Sequence, residues 1–297
     1  MPDRLLICTD LDRTLIPNGP QEESADARPL FSQLVARDEV TLAYVSGRDK
    51  QLVQQAIEEF QLPVPDYVIG DVGSSIYHIN SDGQWLKKDN WDQQIATDWA
   101  NHSHADLHTM LADIKQLQLQ EVSKQSAFKL SFYVPLETDQ ELLKAVIEQR
   151  MQAADIKARQ IWSIDEPAKI GLLDILPAGA SKYHAIEAIM KMQKFHYDST
   201  VFCGDSGNDL EVLASPIAAV LVANSQPEVQ QQARQLSEDS GFADRLYLAK
   251  GRLPGLNGNY SAGMLEGIFH YFPDVRNWLA HIPPLPPGEG AVPGINS

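Results

Sequence analysis

Short apolar runs that alternate with helical stretches constrain this chain more than any other feature of its sequence. Leu5-Leu6-Ile7-Cys8-Thr9 is a continuous apolar run, the pattern of a strand buried on both faces. Residues 25–36 read as a helix and 40–45 as a second buried strand. Residues 50–60 read as a helix with apolar positions at Leu52, Val53, Ala56 and Ile57, and 67–69 as a third strand. This β-α-β-α-β order predicts an α/β fold with a Rossmann-like, doubly wound parallel sheet, whose chemistry sits at the carboxyl ends of the strands. The same pattern returns after residue 170. Leu172-Leu173-Asp174-Ile175-Leu176 reads as another strand of that sheet, followed by a helix over 181–192 and a strand over 200–203. A helix then begins at 209, a strand covers 218–222, and helices cover 227–236 and 262–271.

The middle of the chain breaks this rhythm. Residues 74–78 and 85–87 read as the arms of a hairpin, with Asn80-Ser81-Asp82-Gly83 as its turn. Helical material is expected over 91–119 and 137–151, and alternating, half-exposed strands over 128–134 and 156–163. Alternation with one polar face predicts a small antiparallel sheet covered by helices. The expected division is therefore a catalytic core of residues 1–79 and 170–282, an inserted α+β cap domain of 80–169, and a Pro/Gly-rich tail of 283–297.

Composition narrows the function. The 297 residues include 40 acidic and 24 basic side chains, a formal net charge of −16. Such a chain repels nucleic-acid backbones and anionic membrane faces, so neither is an expected partner. The two cysteines, Cys8 and Cys203, lie far apart in apolar runs; this excludes a disulfide framework or a cysteine zinc site and fits a cytoplasmic setting. The N-terminal apolar run already contains Asp10 and does not read as a signal peptide, and no apolar stretch reaches the length of a membrane span. His102, His104 and His108 form a loose group that reads as solvated helix surface rather than a metal site.

Four polar segments follow buried runs. Asp10-Leu11-Asp12-Arg13-Thr14 offers one carboxylate to attack or hold a metal and another to move a proton, although an acidic loop capping a helix reads equally well. Val45-Ser46-Gly47-Arg48 offers a hydroxyl and a glycine backbone for a phosphate, or an ordinary helix cap assisted by Asp49. Lys182, at the start of a helix, opposes the helix dipole unless it pairs with an anion; an exposed surface lysine is the plainer alternative. Gly204-Asp205-Ser206-Gly207-Asn208-Asp209 is dense in hard oxygen donors and suits a cation such as Mg2+; an Asn/Asp/Gly turn is the plainer alternative, disfavoured because the cluster abuts a buried strand. Independent coincidence of all four, each at an expected strand end, is improbable.

In that order the set resembles the haloacid dehalogenase superfamily of aspartyl-phosphate phosphohydrolases, over Leu5 to Tyr271. The resemblance implies Asp10 as nucleophile and Asp12 as general acid/base, with Ser46, Gly47, Lys182 and Asn208 on the transferring phosphoryl group. It implies a Mg2+ held by Asp10, Asp205 and the backbone carbonyl of Asp12, with Asp209 in support. The insertion resembles the α+β cap of the Cof-like branch. Within that branch the chain is most similar to the sucrose-phosphate phosphatases, through Pro65-Asp66-Tyr67-Val68, Asp71-Val72-Gly73, Lys129-Leu130-Ser131-Phe132-Tyr133-Val134, Leu173-Asp174-Ile175-Leu176-Pro177 with Gly179-Ala180-Ser181-Lys182, and Ala262-Gly263. Ser74-Ser75 departs from the Thr-Glu of that family.

The expectation is a Mg2+-dependent phosphatase for a small sugar phosphate, a sucrose-6-phosphate-like disaccharide or glycoside phosphate, compatible with a monomer. Lys129 and Tyr133, on one face of an alternating strand, either reach sugar hydroxyls or face solvent. Two rivals stay open: a phosphomutase of the same cap type, and a non-catalytic binding protein on the same scaffold.

Overall fold

The structure, a computed structural model, describes residues 3–165 and 168–279. The expected tail of 283–297 lies outside the described residues. In chain order the elements are β1 (Leu5–Thr9), α1 (Ala27–Val35), β2 (Val40–Val45), α2 (Lys50–Glu59), β3 (Tyr67–Gly70), β4 (Ser75–Ile79), β5 (Trp85–Lys87), α3 (Asp89–Ala96), α4 (His104–Leu111), β6 (Gln118–Leu119) and β7 (Leu130–Val134). There follow α5 (Gln140–Ala153), β8 (Ala158–Asp165), β9 (Ile170–Pro177), α6 (Lys182–Gln193), β10 (Thr200–Gly204), α7 (Leu210–Leu213), β11 (Ala218–Leu221), α8 (Pro227–Asp239), β12 (Leu246–Leu248) and α9 (Tyr260–Tyr271). The chain packs as two compact units, one of residues up to Val45, Gln55–Asp66 and from Ile189 onward, the other of Ser46–Gln54 and Tyr67–Ala188.

The first unit is the doubly wound α/β element expected from the sequence. Its strands lie in the order β12-β11-β10-β1-β2, and every neighbouring pair is parallel. β1, β10 and β11 are buried along their whole length, which is why they read as unbroken apolar runs. α9 packs on β11, and its ten residues from Tyr260 to Phe269 are all buried. Gly267 sits where α9 crosses β11: a Cβ there would fall 2.2 Å from a methyl of Val220.

The second unit holds an antiparallel β3-β4-β5 ribbon and a four-stranded sheet in the order β6-β7-β9-β8, antiparallel throughout. The hairpin expected at 74–87 is present as β4 and β5. A core of Trp99, Leu107, Leu111, Leu130, Phe132, Leu143, Ile147, Leu173 and Ile175 joins α4 and α5 to the four-stranded sheet.

Two sequence expectations are corrected. β9, read as a parallel strand of the doubly wound sheet, pairs antiparallel with both β7 and β8. Its burial alternates over most of its length, with Leu172 and Asp174 half-exposed between buried Gly171, Leu173 and Ile175. The helical stretch read over 91–119 is two short helices and the strand β6. Ala100 and Asn101 adopt left-handed backbone and end the first, and Ser103 restarts the chain with a capping box to Asp106.

Candidate active site

Asp10 stands one residue past β1, and its N–H still donates to the Cys203 carbonyl of β10 at 2.9 Å. The chain then leaves the sheet in a tight turn. The Leu11 carbonyl accepts from Thr14, Leu15 and Ile16, and the Ile16 carbonyl accepts from Asn18. This turn brings Asn18 back beside Asp12: the Asn18 Nδ2 donates to Asp12 Oδ1 at 2.7 Å, and Asn18 Oδ1 accepts the Arg13 N–H at 2.8 Å. Asp10 is buried and Asp12 half-buried.

The second acidic loop follows β10. Asp209 turns back so that its Oδ2 accepts the N–H groups of Asp205 (3.1 Å) and Ser206 (3.0 Å), which fixes the loop by its own carboxylate. Gly204 makes that fold possible, because a Cβ there would fall 2.5 Å from Asp209 Oδ2. The loops of Asp10 and Asp205 are tied directly. Thr14 Oγ1 donates to Asp205 Oδ1 at 3.2 Å, and Arg13 Nε lies 3.4 Å from Asp205 Oδ2.

One oxygen each of Asp10, Asp205 and Asp209 lies within 4.8 Å of the others, and all three residues are buried. Like charges so close and so poorly hydrated repel, and a hard divalent cation is the partner that relieves them. The donor set therefore fits Mg2+. No histidine joins this group among the described residues. His104 instead meets Gln125 at 3.1 Å, and the His108 ring stacks on Phe132. Asn208 is exposed on the loop between Asp205 and Asp209.

Ser46, Gly47 and Lys182 belong to the second unit. Ser46 is buried, its N–H donates to the Ile69 carbonyl, and its carbonyl accepts from Val72. Gly47 beside it is exposed. Lys182 opens α6 and is also buried, not the exposed lysine of the plainer reading. The turn 71–74 touches both: Val72 bonds Ser46, while Gly73, at φ +102, packs on the Ser181–Lys182 peptide so closely that a Cβ would sit 2.3 Å from the Ser181 carbonyl carbon.

The cap strand residues are engaged within their own unit. Lys129 is buried, 3.8 Å from Asp71 and 4.0 Å from Asp174. Ser131 Oγ donates to Asp174 at 2.5 Å, and the Tyr133 hydroxyl to Glu121 at 2.8 Å. Burial pushes the Asp71 carboxyl up, against the opposing pull of Lys129 and the Ser75 hydroxyl. Burial also pushes both cysteine thiols up, so neither supplies a thiolate.

Three residues of this architecture escaped the sequence reading: Arg13, Asn18 and Asn224. Asn224 follows β11, and its Nδ2 donates to the Arg13 carbonyl at 2.6 Å while its Oδ1 accepts the Tyr260 N–H at 2.8 Å. The strand-end rule, applied to the 218–222 strand as well, would have pointed to it.

A family model for sucrose-6F-phosphate phosphohydrolase matches residues 3–272. The chain belongs to this family. The expected superfamily, that of the haloacid dehalogenases, is therefore the superfamily of this protein. A Nitrosococcus oceani protein whose description is HAD-like hydrolase is 52% identical over 280 residues, 94% of this chain and 75% of that protein. Sucrose-phosphatase 2 of Nicotiana tabacum is 31% identical over 240 residues, 77% of this chain. The chain spans only 52% of that plant relative's length. The solved sucrose-phosphatase of Synechocystis sp. PCC6803, in complex with sucrose and phosphate, superposes with a TM-score of 0.69 at 23% identity, covering 91% of this chain and 99% of its own. That likeness carries the fold of the phosphohydrolase family member described here.

Proposed function

We propose that this protein is a Mg2+-dependent phosphatase that hydrolyses a small sugar phosphate, a sucrose-6-phosphate-like disaccharide or glycoside phosphate, through an aspartyl-phosphate intermediate. The observation that carries the reading is the convergence of buried Asp10, Asp205 and Asp209 at the ends of adjacent parallel strands, with the Asp12 carboxylate held separately by Asn18. Two carboxylates of one turn thereby have different surroundings and can take different roles.

Asp10 attacks phosphorus, and the bond from phosphorus to the sugar oxygen breaks. Asp12 gives its proton to the departing alkoxide. Asp12 then takes a proton from water, whose oxygen attacks the phospho-Asp10, releasing orthophosphate and restoring the Asp10 carboxylate. Asp10, Asp205 and the Asp12 carbonyl would hold Mg2+, supported by Asp209; bound there, the ion cancels the repulsion between a carboxylate nucleophile and a phosphate dianion. Ser46, Gly47, Lys182 and Asn208 bind the phosphoryl oxygens. The α+β cap selects the sugar, and the Ser74-Ser75 pair leaves open which disaccharide it accepts.

Phosphate release should be screened over sugar phosphates, with and without a chelator. Chelator-sensitive release from a disaccharide or glycoside phosphate, abolished in Asp10→Asn, is the expected result. In Asp12→Asn turnover should fall by about 100-fold or more, with phospho-Asp10 detectable by intact mass. Full turnover in Asp10→Asn overturns the reading, and interconversion of hexose phosphate isomers would identify a mutase instead.

A further inference from the structure

Arg13 lies between the two candidate catalytic aspartates and Thr14, yet the chemistry above makes no use of it. Its backbone is left-handed, at φ 58, a region where a long side chain carries strain of about 1 kcal/mol or more. That conformation is held from three sides. Asn18 Oδ1 accepts the Arg13 N–H, the Arg13 carbonyl accepts from Asn224 Nδ2, and Arg13 Nη2 donates to the Asn224 carbonyl at 3.2 Å. The result is a guanidinium turned onto Asp205. Arg13 Nε is buried and 3.4 Å from Asp205 Oδ2, but it forms no hydrogen bond in that position. The contact is a charge pairing at 3.4 Å without directed bonding.

We propose that Arg13 is a resident competitor for the cation site: its guanidinium and a divalent cation draw on the same Asp205 carboxylate, so that Arg13 lowers the affinity of the site for Mg2+ and keeps the metal exchangeable. This rests on the assignment of Asp205 as a metal ligand. The physical basis is plain. A divalent cation held by Asp205 would share that carboxylate with the positive charge of Arg13, which already offsets part of it. Because the Arg13 side chain is 32% exposed, screening limits the penalty to a moderate factor.

Calorimetric titration of the full chain with MgCl2, in the absence of substrate, tests this. Arg13→Gln keeps the length of the side chain and removes its charge; it should bind Mg2+ about threefold or more tighter than the wild type. Arg13→Lys keeps the charge and should stay within about twofold of the wild type. If Arg13→Gln binds no tighter, or if Arg13→Lys tightens as much as Arg13→Gln, the competitor role is overturned and Arg13 only braces its loop. Should Arg13→Gln not fold, the Arg13→Lys result decides alone: a shift beyond that window in either direction overturns the proposal. Asp205→Asn separates the two levels of argument, because saturable binding that survives in it removes the metal-site assignment itself, whatever Arg13 does.

Discussion

Asp71 carries a carboxylate that its surroundings disfavour. Burial raises its pKa from the ordinary value, nearby Asp49 and Asp174 push the same way, and Lys129 and the Ser75 hydroxyl only partly oppose them. A raised native pKa means that the folded state holds the proton more tightly than the unfolded chain does. The contribution of Asp71 to stability is therefore full below the ordinary carboxylate range and is lost as pH rises through the raised native value. Asp71→Asn removes the titration. The unfolding free energy of the wild type minus that of Asp71→Asn should fall as pH rises from about 4 to about 6, as read by urea denaturation at each pH. A flat or rising difference would mean that the Lys129 ion pair outweighs burial. At this scale the sequence was legible where a residue type itself announces chemistry. Asp10, Asp12, Asp205 and Asp209 are acids after apolar runs, and three of them converge. Asn18, Asn224 and Arg13 were not legible, because their roles depend on which distant backbone group each meets: Asn224 reaches Arg13, 211 residues away in sequence.

Among the elements, the turn between β3 and β4 is tightly constrained. Asp71 and Val72 have positive φ at 50° and 59°, Gly73 follows at 102°, and the Ser181–Lys182 peptide packs against Gly73 with no room for a side chain. Gly73→Ala should cost about 2–4 kcal/mol, since both the conformation and the space exclude a Cβ and the obstacle is backbone. Gly207→Ala is the matched control. A Cβ at Gly207 meets nothing within 4 Å, and the change in stability should stay within about 0.5 kcal/mol. Guanidinium unfolding midpoints of the two variants check this; equal midpoints would show that the turn relaxes freely. Reading elements from the sequence worked where period and partner agree, as in β1 and β10, whose parallel neighbours lie on both sides. It failed for β9, because Leu172-Leu173-Asp174-Ile175-Leu176 is apolar enough to pass for a strand buried on both faces, while its place between β7 and β8 is set by partners that no local pattern names. β12 was missed altogether: the three residues Leu246-Tyr247-Leu248 show no period, and only pairing with β11 makes them a strand.

Over the whole molecule the excess of 40 acidic over 24 basic side chains sets a self-repulsion that any added cation weakens. Monovalent salt acts on this general field, screening surface charges over about 10 Å at 0.1 M. A divalent cation at a specific site acts differently, by mass action on the folded state alone, and contributes about 2.7 kcal/mol when its free concentration is about a hundred times its dissociation constant. The two effects separate in one experiment. With NaCl adjusted to hold ionic strength constant, MgCl2 should raise the thermal midpoint further than NaCl alone, along a saturating curve. Three buried carboxylates with oxygens within 4.8 Å supply the reason, since a divalent cation placed among them relieves their mutual repulsion. Asp205→Asn should abolish the saturating part and keep the response to NaCl, because it removes one of the site's carboxylates and leaves the rest of the charge excess in place. If Asp205→Asn gains as much from Mg2+ as the wild type does, the ion stabilises this protein through its general charge, and the acidic cluster is not where it binds.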